Sequence, residues 1–183
     1  MRITGGSARG QILKVPRDIR PTTDRTREAI FSMLNSMGSR EWSNVLDLFA
    51  GTGALGIEAL SRDAAWADFV EKEPRCCDII RQNLEKTGLS GQAHVYCSEV
   101  PKAIRFLDKE YGIILMDPPY SDSSIGNLLT QIATSKLVGA DTILVVTHSP
   151  HLPLSSEYAA LNLVKEHRHG DSCIALYRKE YRA

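Results

Sequence analysis

The stretch that decides the fold is Asp47-Leu48-Phe49-Ala50-Gly51-Thr52-Gly53-Ala54-Leu55-Gly56. It enters as an apolar strand and leaves as a helix. Glycine at 51 and 53 lets the backbone turn tightly and approach a ligand, while Gly56 lets the following helix lie close to a sheet. The spacing alone is a weak signal, because chance glycines and dinucleotide enzymes share it. Its surroundings add weight: Glu71 closes the next predicted strand, where a carboxylate can bind both hydroxyls of a ribose.

Two cofactors fit that much, a nicotinamide dinucleotide and S-adenosylmethionine. A pyrophosphate wants the positive end of a helix dipole and little negative charge nearby. Asp47, shortly before Gly51, disfavours it. An acid there can instead face the ammonium of a methionine moiety, directly or through water. Cys97-Ser98-Glu99-Val100 ends the third predicted strand and lies over the adenine, with Glu99 able to accept from its exocyclic amine. This region favours S-adenosylmethionine.

Outward from the loop, short apolar runs alternate with amphipathic segments, the pattern of an α/β domain with a mostly parallel sheet. Strands are expected at Val45–Phe49, Ala67–Glu71, His94–Cys97, Gly112–Asp117 and Thr142–Thr147. Helices are expected near Gly53–Arg62, Arg75–Thr87 (with Gly88 as its stop), Val100–Asp108 and Ser124–Leu137. Beyond Pro150 two more runs, Leu161–Val164 and Cys173–Tyr177, flank the polar turn His167–Asp171, which reads as a hairpin added to the sheet edge. Upstream, residues 1–20 read as a short basic β-type arm. A helix follows, capped by Thr23 or Asp24, with Ile30, Phe31, Leu34 and Met37 on its apolar side. The domain reading is therefore 1–40 for arm and helix, packed on a main domain of 41–183.

The fourth strand ends in Asp117-Pro118-Pro119-Tyr120. The prolines fix φ and remove two backbone donors, leaving carbonyl acceptors in a stiff frame. In an open α/β sheet this end of the strand is where ligands bind. An exocyclic amine on a base suits such a frame, since its delocalised lone pair makes it a poor nucleophile. Hydrogen bonds to the Asp117 carboxylate and the Pro118 carbonyl orient the nitrogen toward a methyl carbon. Tyr120 can stack on the base, which must be flipped or unpaired to enter. Whether Asp117 takes the proton or only orients the amine stays open here, as does guanine against adenine.

Composition sets bounds. The 183 residues carry 22 basic and 22 acidic side chains, so total charge names no partner. Residues 1–40 hold eight Lys or Arg, Arg40 among them, against three acids, a local net of +5 that suits a polyanion. Arg9, Lys14, Arg17 and Arg20 are the cations of this end placed to meet phosphates. Cys76, Cys77, Cys97 and Cys173 form no CxxC pair and read as reduced thiols of a cytoplasmic protein. No apolar run approaches membrane-spanning length. His148-x-x-His151 and His167-x-His169 lack a cysteine that completes a ligand spacing, so no metal is expected.

Taken together, DPPY, LDLFAGTGALGIEALSR and FVEKEP resemble the amino-methyltransferases of the class I S-adenosylmethionine-dependent fold. RITGGSARGQILKVP, RPTTDRTREAIFSML and HGDSCIALYRK narrow the resemblance to the bacterial 16S rRNA (guanine(966)-N(2))-methyltransferase family, from Arg2 to about Lys179. It implies a Rossmann-like, seven-stranded sheet with a reversed last strand and transfer to guanine N2. The implied partner is 16S rRNA in the small ribosomal subunit or its assembly intermediate, and the resemblance implies that the phosphates met by Arg9, Lys14, Arg17 and Arg20 are RNA's. For so small a domain a monomer is the default expectation. It also implies that Asp47, Ala50, Gly51, Thr52 and Gly53 hold the methionine part of S-adenosylmethionine and that Glu71 binds the ribose. Lys72 would lie beside the adenine, and Ser98, Glu99 and Val100 would complete its pocket. Thr22 and Thr23, with Arg20 nearby, would close over the cofactor, and Asp117, Pro118, Pro119 and Tyr120 would hold guanine. One departure is visible: where many members carry an acid at the end of the fifth strand, Val146 is followed by Thr147 and His148. The rival readings are a DNA adenine-N6 methyltransferase, for which 183 residues leave no room for a separate recognition domain, and a non-catalytic RNA-binding assembly factor.

Overall fold

The structure is a computed structural model and describes residues 1–38 and 42–179. The expected boundary between residues 40 and 41, and Arg40 with it, lie outside the described residues. In chain order the elements are α1 (Asp24–Ser36), β1 (Asn44–Leu48), α2 (Ala54–Ser61), β2 (Trp66–Glu71), α3 (Pro74–Thr87), β3 (Ala93–Cys97) and α4 (Val100–Phe106). They continue with β4 (Tyr111–Met116), α5 (Ile125–Ala133), β5 (Val138–His148), β6 (Glu157–Tyr158), β7 (Leu161–His169) and β8 (Ser172–Lys179).

The strands form one sheet in the order β3-β2-β1-β4-β5-β8-β7-β6. Neighbours from β3 through β5 are parallel, and β8 is antiparallel to both β5 and β7. The expected seven strands are joined by an eighth, the two-residue edge strand β6 paired to β7. Side chains alternate across the sheet with the period of two that strands impose. Val45, Phe69, Ile113, Val145 and Leu176 pack with residues of α1, α2 and α3, whereas Leu46, Val70, Ile114, Val146 and Tyr177 pack with those of α4 and α5. Both faces are covered, so the central strands read as continuous apolar runs.

Several ends differ from the sequence reading. The expected β-type arm has a single bridge, Arg2 to Ile12, and is held instead by Ile3, Ala8 and Leu13 in the core beside α1 and α2. Thr23 is the cap of α1, its Oγ1 accepting from the Thr26 N–H at 3.2 Å. α5 stops at Ala133, where the hydroxyls of Thr134 and Ser135 turn back to the carbonyls of Thr130 and Ile132. The hairpin turn shrinks to Gly170 and Asp171, with Gly170 at φ 64° as a tight turn requires. Exposed polar residues on both faces of β7 had hidden that strand's extension, because no apolar alternation marks it.

Candidate active site

The reversal of strand order falls between β1 and β4, and a cavity of about 680 Å³ opens at the carboxyl ends of those strands and their neighbours. Phe49 follows β1 into its wall, Glu71 and Lys72 close β2, Ser98 through Pro101 follow β3, and Asp117 through Tyr120 follow β4. Arg20, Pro21, Thr22 and Thr23 cross it from the N-terminal side. With Ser172 of β8, residues from six separate segments therefore share one space.

The glycine loop folds as expected and is braced from below. Gly51 and Gly53 have φ of 57° and 81°, values that a side chain disfavours. A Cβ on Gly56 would meet Phe69 Cε1 at 2.3 Å, so the close approach of α2 to β2 needs glycine. Glu71 holds the loop: its Oε2 accepts from the Gly51 N–H at 2.7 Å and its Oε1 from the Glu73 N–H at 3.0 Å. Phe49 sits at φ 57°, a conformation rarely taken by a bulky residue, and lines the cavity.

Asp47 stands differently from the expectation. It is 1% exposed and lies beneath the loop, where its Oδ2 accepts from the Gly56 N–H at 2.9 Å. Burial pushes its carboxyl well above the ordinary range, the Gly56 hydrogen bond opposes this, and the nearby Asp117 and Glu71 carboxylates push the same way. Ala50, Gly51, Thr52 and Gly53 likewise stand outside the wall formed by Phe49, Val70 and Glu71. Asp47 supports the turn from beneath.

At the opposite wall, Asp117 is clamped. The Thr22 hydroxyl donates to its Oδ2 and the Thr147 hydroxyl donates to its Oδ1. Thr147, where an acid was expected, is thereby a neighbour of the Asp117 carboxylate. Tyr120 is 38% exposed, and its hydroxyl donates to Ser172 Oγ at 2.7 Å. Ser172 opens β8 and lines the cavity, so the hairpin tip reaches the site. The sequence marks Ser172 only as part of a motif and Thr147 only as a departure from one. Their roles depend on β5 and β8 lying side by side.

Of the four expected RNA contacts, Arg9, Lys14, Arg17 and Arg20 are all exposed, and Arg20 alone lines the cavity. The arm is laid along α3: the Lys14 N–H donates to Asn83 Oδ1 at 2.7 Å, and Arg75 pairs with Asp18 at 2.6 Å. His148 meets the cysteine that its sequence neighbourhood lacks, since its ring, Glu166 and Cys173 bring their ligand-type atoms within 4.8 Å of one another. Both ring nitrogens are engaged, Nε2 with Glu166 Oε1 at 2.9 Å and Nδ1 with the carbonyls of Ser149 and Leu152. Among the described residues no helix is long and apolar enough to cross a membrane.

Known proteins resemble this chain over nearly its whole length. A family model described as “Conserved hypothetical protein 95” matches residues 1–178. “Putative rRNA methyltransferase YlbH” of Bacillus subtilis (strain 168) is 34% identical over 186 residues, covering 98% of this chain and 99% of its own length. “Ribosomal RNA small subunit methyltransferase D” of Escherichia coli (strain K12) is 31% identical over 182 residues, covering 98% and 90%. The solved structure “Putative methyltransferase yhhF from Escherichia coli” superposes with a TM-score of 0.86 at 30% identity, over 100% of this chain and 99% of that one. An RNA methyltransferase from Salinibacter ruber, solved with S-adenosyl-L-homocysteine, shares the fold at a TM-score of 0.66 and 15% identity, over 90% and 96%. With nearly the whole chain matched and its motifs gathered on one cavity, the chain belongs to this family, that of the bacterial 16S rRNA (guanine(966)-N(2))-methyltransferases.

Proposed function

We propose that this protein transfers a methyl group from S-adenosylmethionine to a base amine of 16S rRNA, the N2 of guanine 966, in the small ribosomal subunit or its assembly intermediate. The observation that carries the reading is the sharing of one cavity by the Asp117-Pro118-Pro119-Tyr120 loop and the Glu71, Ser98 and Glu99 rim. The donor set fits the cofactor. Its volume lies in the range of small-molecule sites, Phe49, Val70, Val100 and Pro101 supply apolar walls, and Glu71 and Glu99 supply acceptors for ribose and adenine amine. When bound, the cofactor supplies the electrophilic methyl group.

The chain's own residues do the rest. Lys72 and Ser98 flank the adenine, Thr23 closes the N-terminal side, and the loop from Ala50 to Gly53, braced by Asp47 and Glu71, shapes the methionine end. Asp117 and the Pro118 carbonyl accept from the base amine, hold its nitrogen in line and favour the positive charge that develops there. Tyr120 stacks on the base, which must leave its helix to enter. Arg9, Lys14, Arg17 and Arg20 contact phosphates.

The test is incubation with labelled cofactor and undermethylated small subunits, followed by digestion of the RNA and identification of the nucleoside. N2-methylguanosine at the expected position supports the reading. N6-methyladenosine selects an adenine methyltransferase instead, and failure to bind the cofactor at all leaves an RNA-binding assembly factor.

A further inference from the structure

Arg20 to Thr23, the strap that leads into α1, line the cavity, and Thr22 also reaches its acid. The Thr22 hydroxyl donates to Asp117 Oδ2, across a separation of 95 residues in the chain. On the opposite side the Thr147 hydroxyl donates to Oδ1, from a side chain only 1% exposed at the end of β5. A hydroxyl has one proton to give, and here both are given to the same carboxylate. Each oxygen of an ionised carboxylate has two acceptor positions, so one remains on each for a base amine. Donation from both sides holds the plane of the carboxylate, which suits a group that orients an amine.

Thr22 is itself held. Its carbonyl accepts from Arg27 Nη1 at 3.0 Å, and Arg27 is wholly buried. The same guanidinium reaches the Arg2 carbonyl and Asp24 Oδ1, and lies 3.7 Å from the buried Glu58 carboxylate, which is anchored on α2. The strap is therefore fixed to the body of the protein at the residue that touches Asp117.

We propose that Thr22 is a positioning residue for the Asp117 carboxylate, with Thr147 as its counterpart and Arg27 as its anchor. The N-terminal strap then completes the amine-holding site as well as roofing the cofactor. The proposal rests on the methyltransferase reading and assigns Thr22 to the chemical step rather than to cofactor affinity.

The experiment compares wild type with Thr22→Val, Thr22→Ser and Thr147→Val on undermethylated small subunits, measuring kcat, KM, cofactor Kd and thermal melting for each. Thr22→Val is expected to lower kcat by about 10²-fold, the scale of a misplacement near 1 Å, with KM and cofactor Kd little changed. Thr22→Ser keeps the hydroxyl and is expected to recover most of the rate. Thr147→Val is expected to lower kcat in the same way, with melting showing that it folds. Wild-type kcat in Thr22→Val, or a loss confined to cofactor Kd, overturns the positioning role, as does failure of Thr22→Ser to recover. Absence of methyl transfer by the wild type itself overturns the methyltransferase reading, and the positioning role with it.

Discussion

Arg27 Nε and Glu58 Oε2 stand 3.7 Å apart with both side chains wholly shut from solvent. Around this pair the N-terminal arm, α1 and α2 are joined. Glu58 accepts from the N–H groups of Thr4 and Gly5, from the Thr4 hydroxyl at 2.7 Å and from Arg62 at 3.0 Å. Burying two charges is costly, so the pair's value lies in what its loss would leave behind. Arg27→Met leaves the Glu58 carboxylate to Arg62 and takes the donor from the Thr22 and Arg2 carbonyls, and is expected to cost about 1–3 kcal/mol of stability, read from urea unfolding. A change below about 1 kcal/mol would show that the arm is not held through this pair.

Gly56 and Phe69 make a second contact that sequence spacing implies only in outline. Gly56→Ala places a methyl 2.3 Å from the Phe69 ring and is expected to destabilise by about 1–3 kcal/mol. Phe69→Leu in the same chain should relieve part of this, giving a double mutant more stable than the sum of the singles. Additive losses in a thermal melt would disprove the contact.

The buried Asp47 predicts an unusual pH dependence. Its folded carboxyl is raised above the ordinary 3.8, by burial first. As pH rises from that ordinary value through the raised one, the unfolded chain gives up its proton first and the native state loses stability. Asp47→Asn keeps an acceptor for the Gly56 N–H and carries no charge. It should melt close to wild type in acid and increasingly above it as pH rises. A gap that closes with rising pH would contradict the burial.

Thiol reactivity should single out one of the four free cysteines. Cys97 is exposed, whereas Cys76, Cys77 and Cys173 are buried. Burial raises all three buried thiols, with Cys77 pushed up to about 12 and further held by its neighbour Cys97 and by the Glu71 charge. A thiol reagent should titrate one equivalent quickly in the native protein and four in denaturant, and Cys97→Ser should abolish the fast phase.

Charge on the arm should appear in the salt dependence of RNA binding. Arg9→Glu with Arg17→Glu removes two cations, both exposed, that stand outside the cavity wall. If both contact phosphate, affinity falls and the slope of log K against log salt shrinks by roughly 0.7 to 0.9 per contact. An unchanged slope would exclude the arm from the RNA interface.

Much of the architecture was legible before folding because it rests on local rules. Apolar runs of strand length marked five parallel strands within a few residues, and Gly88, at φ 73°, ended α3 where a left-handed cap is cheapest for glycine. The hairpin was legible in kind but not in extent, because exposed β7 carries polar residues on both faces. β6 is only two residues long, too short for any periodicity to reveal.

The site divides the same way. The glycine loop, Glu71 and Asp117-Pro118-Pro119-Tyr120 announced themselves, since backbone freedom, a carboxylate at a strand end and fixed prolines are properties of neighbouring residues. What faces those groups is a property of distant ones. Asp47 lies under the loop rather than in the cavity because β1 and α2 close over it, and Thr22 and Thr147 reach Asp117 from 95 and 30 residues away. Sequence by itself determined the kind of chemistry, because motif composition sets which donors and acceptors exist. Tertiary structure alone decided which of them meet, because hydrogen bonds act over about 3 Å and only packing brings separate segments that close.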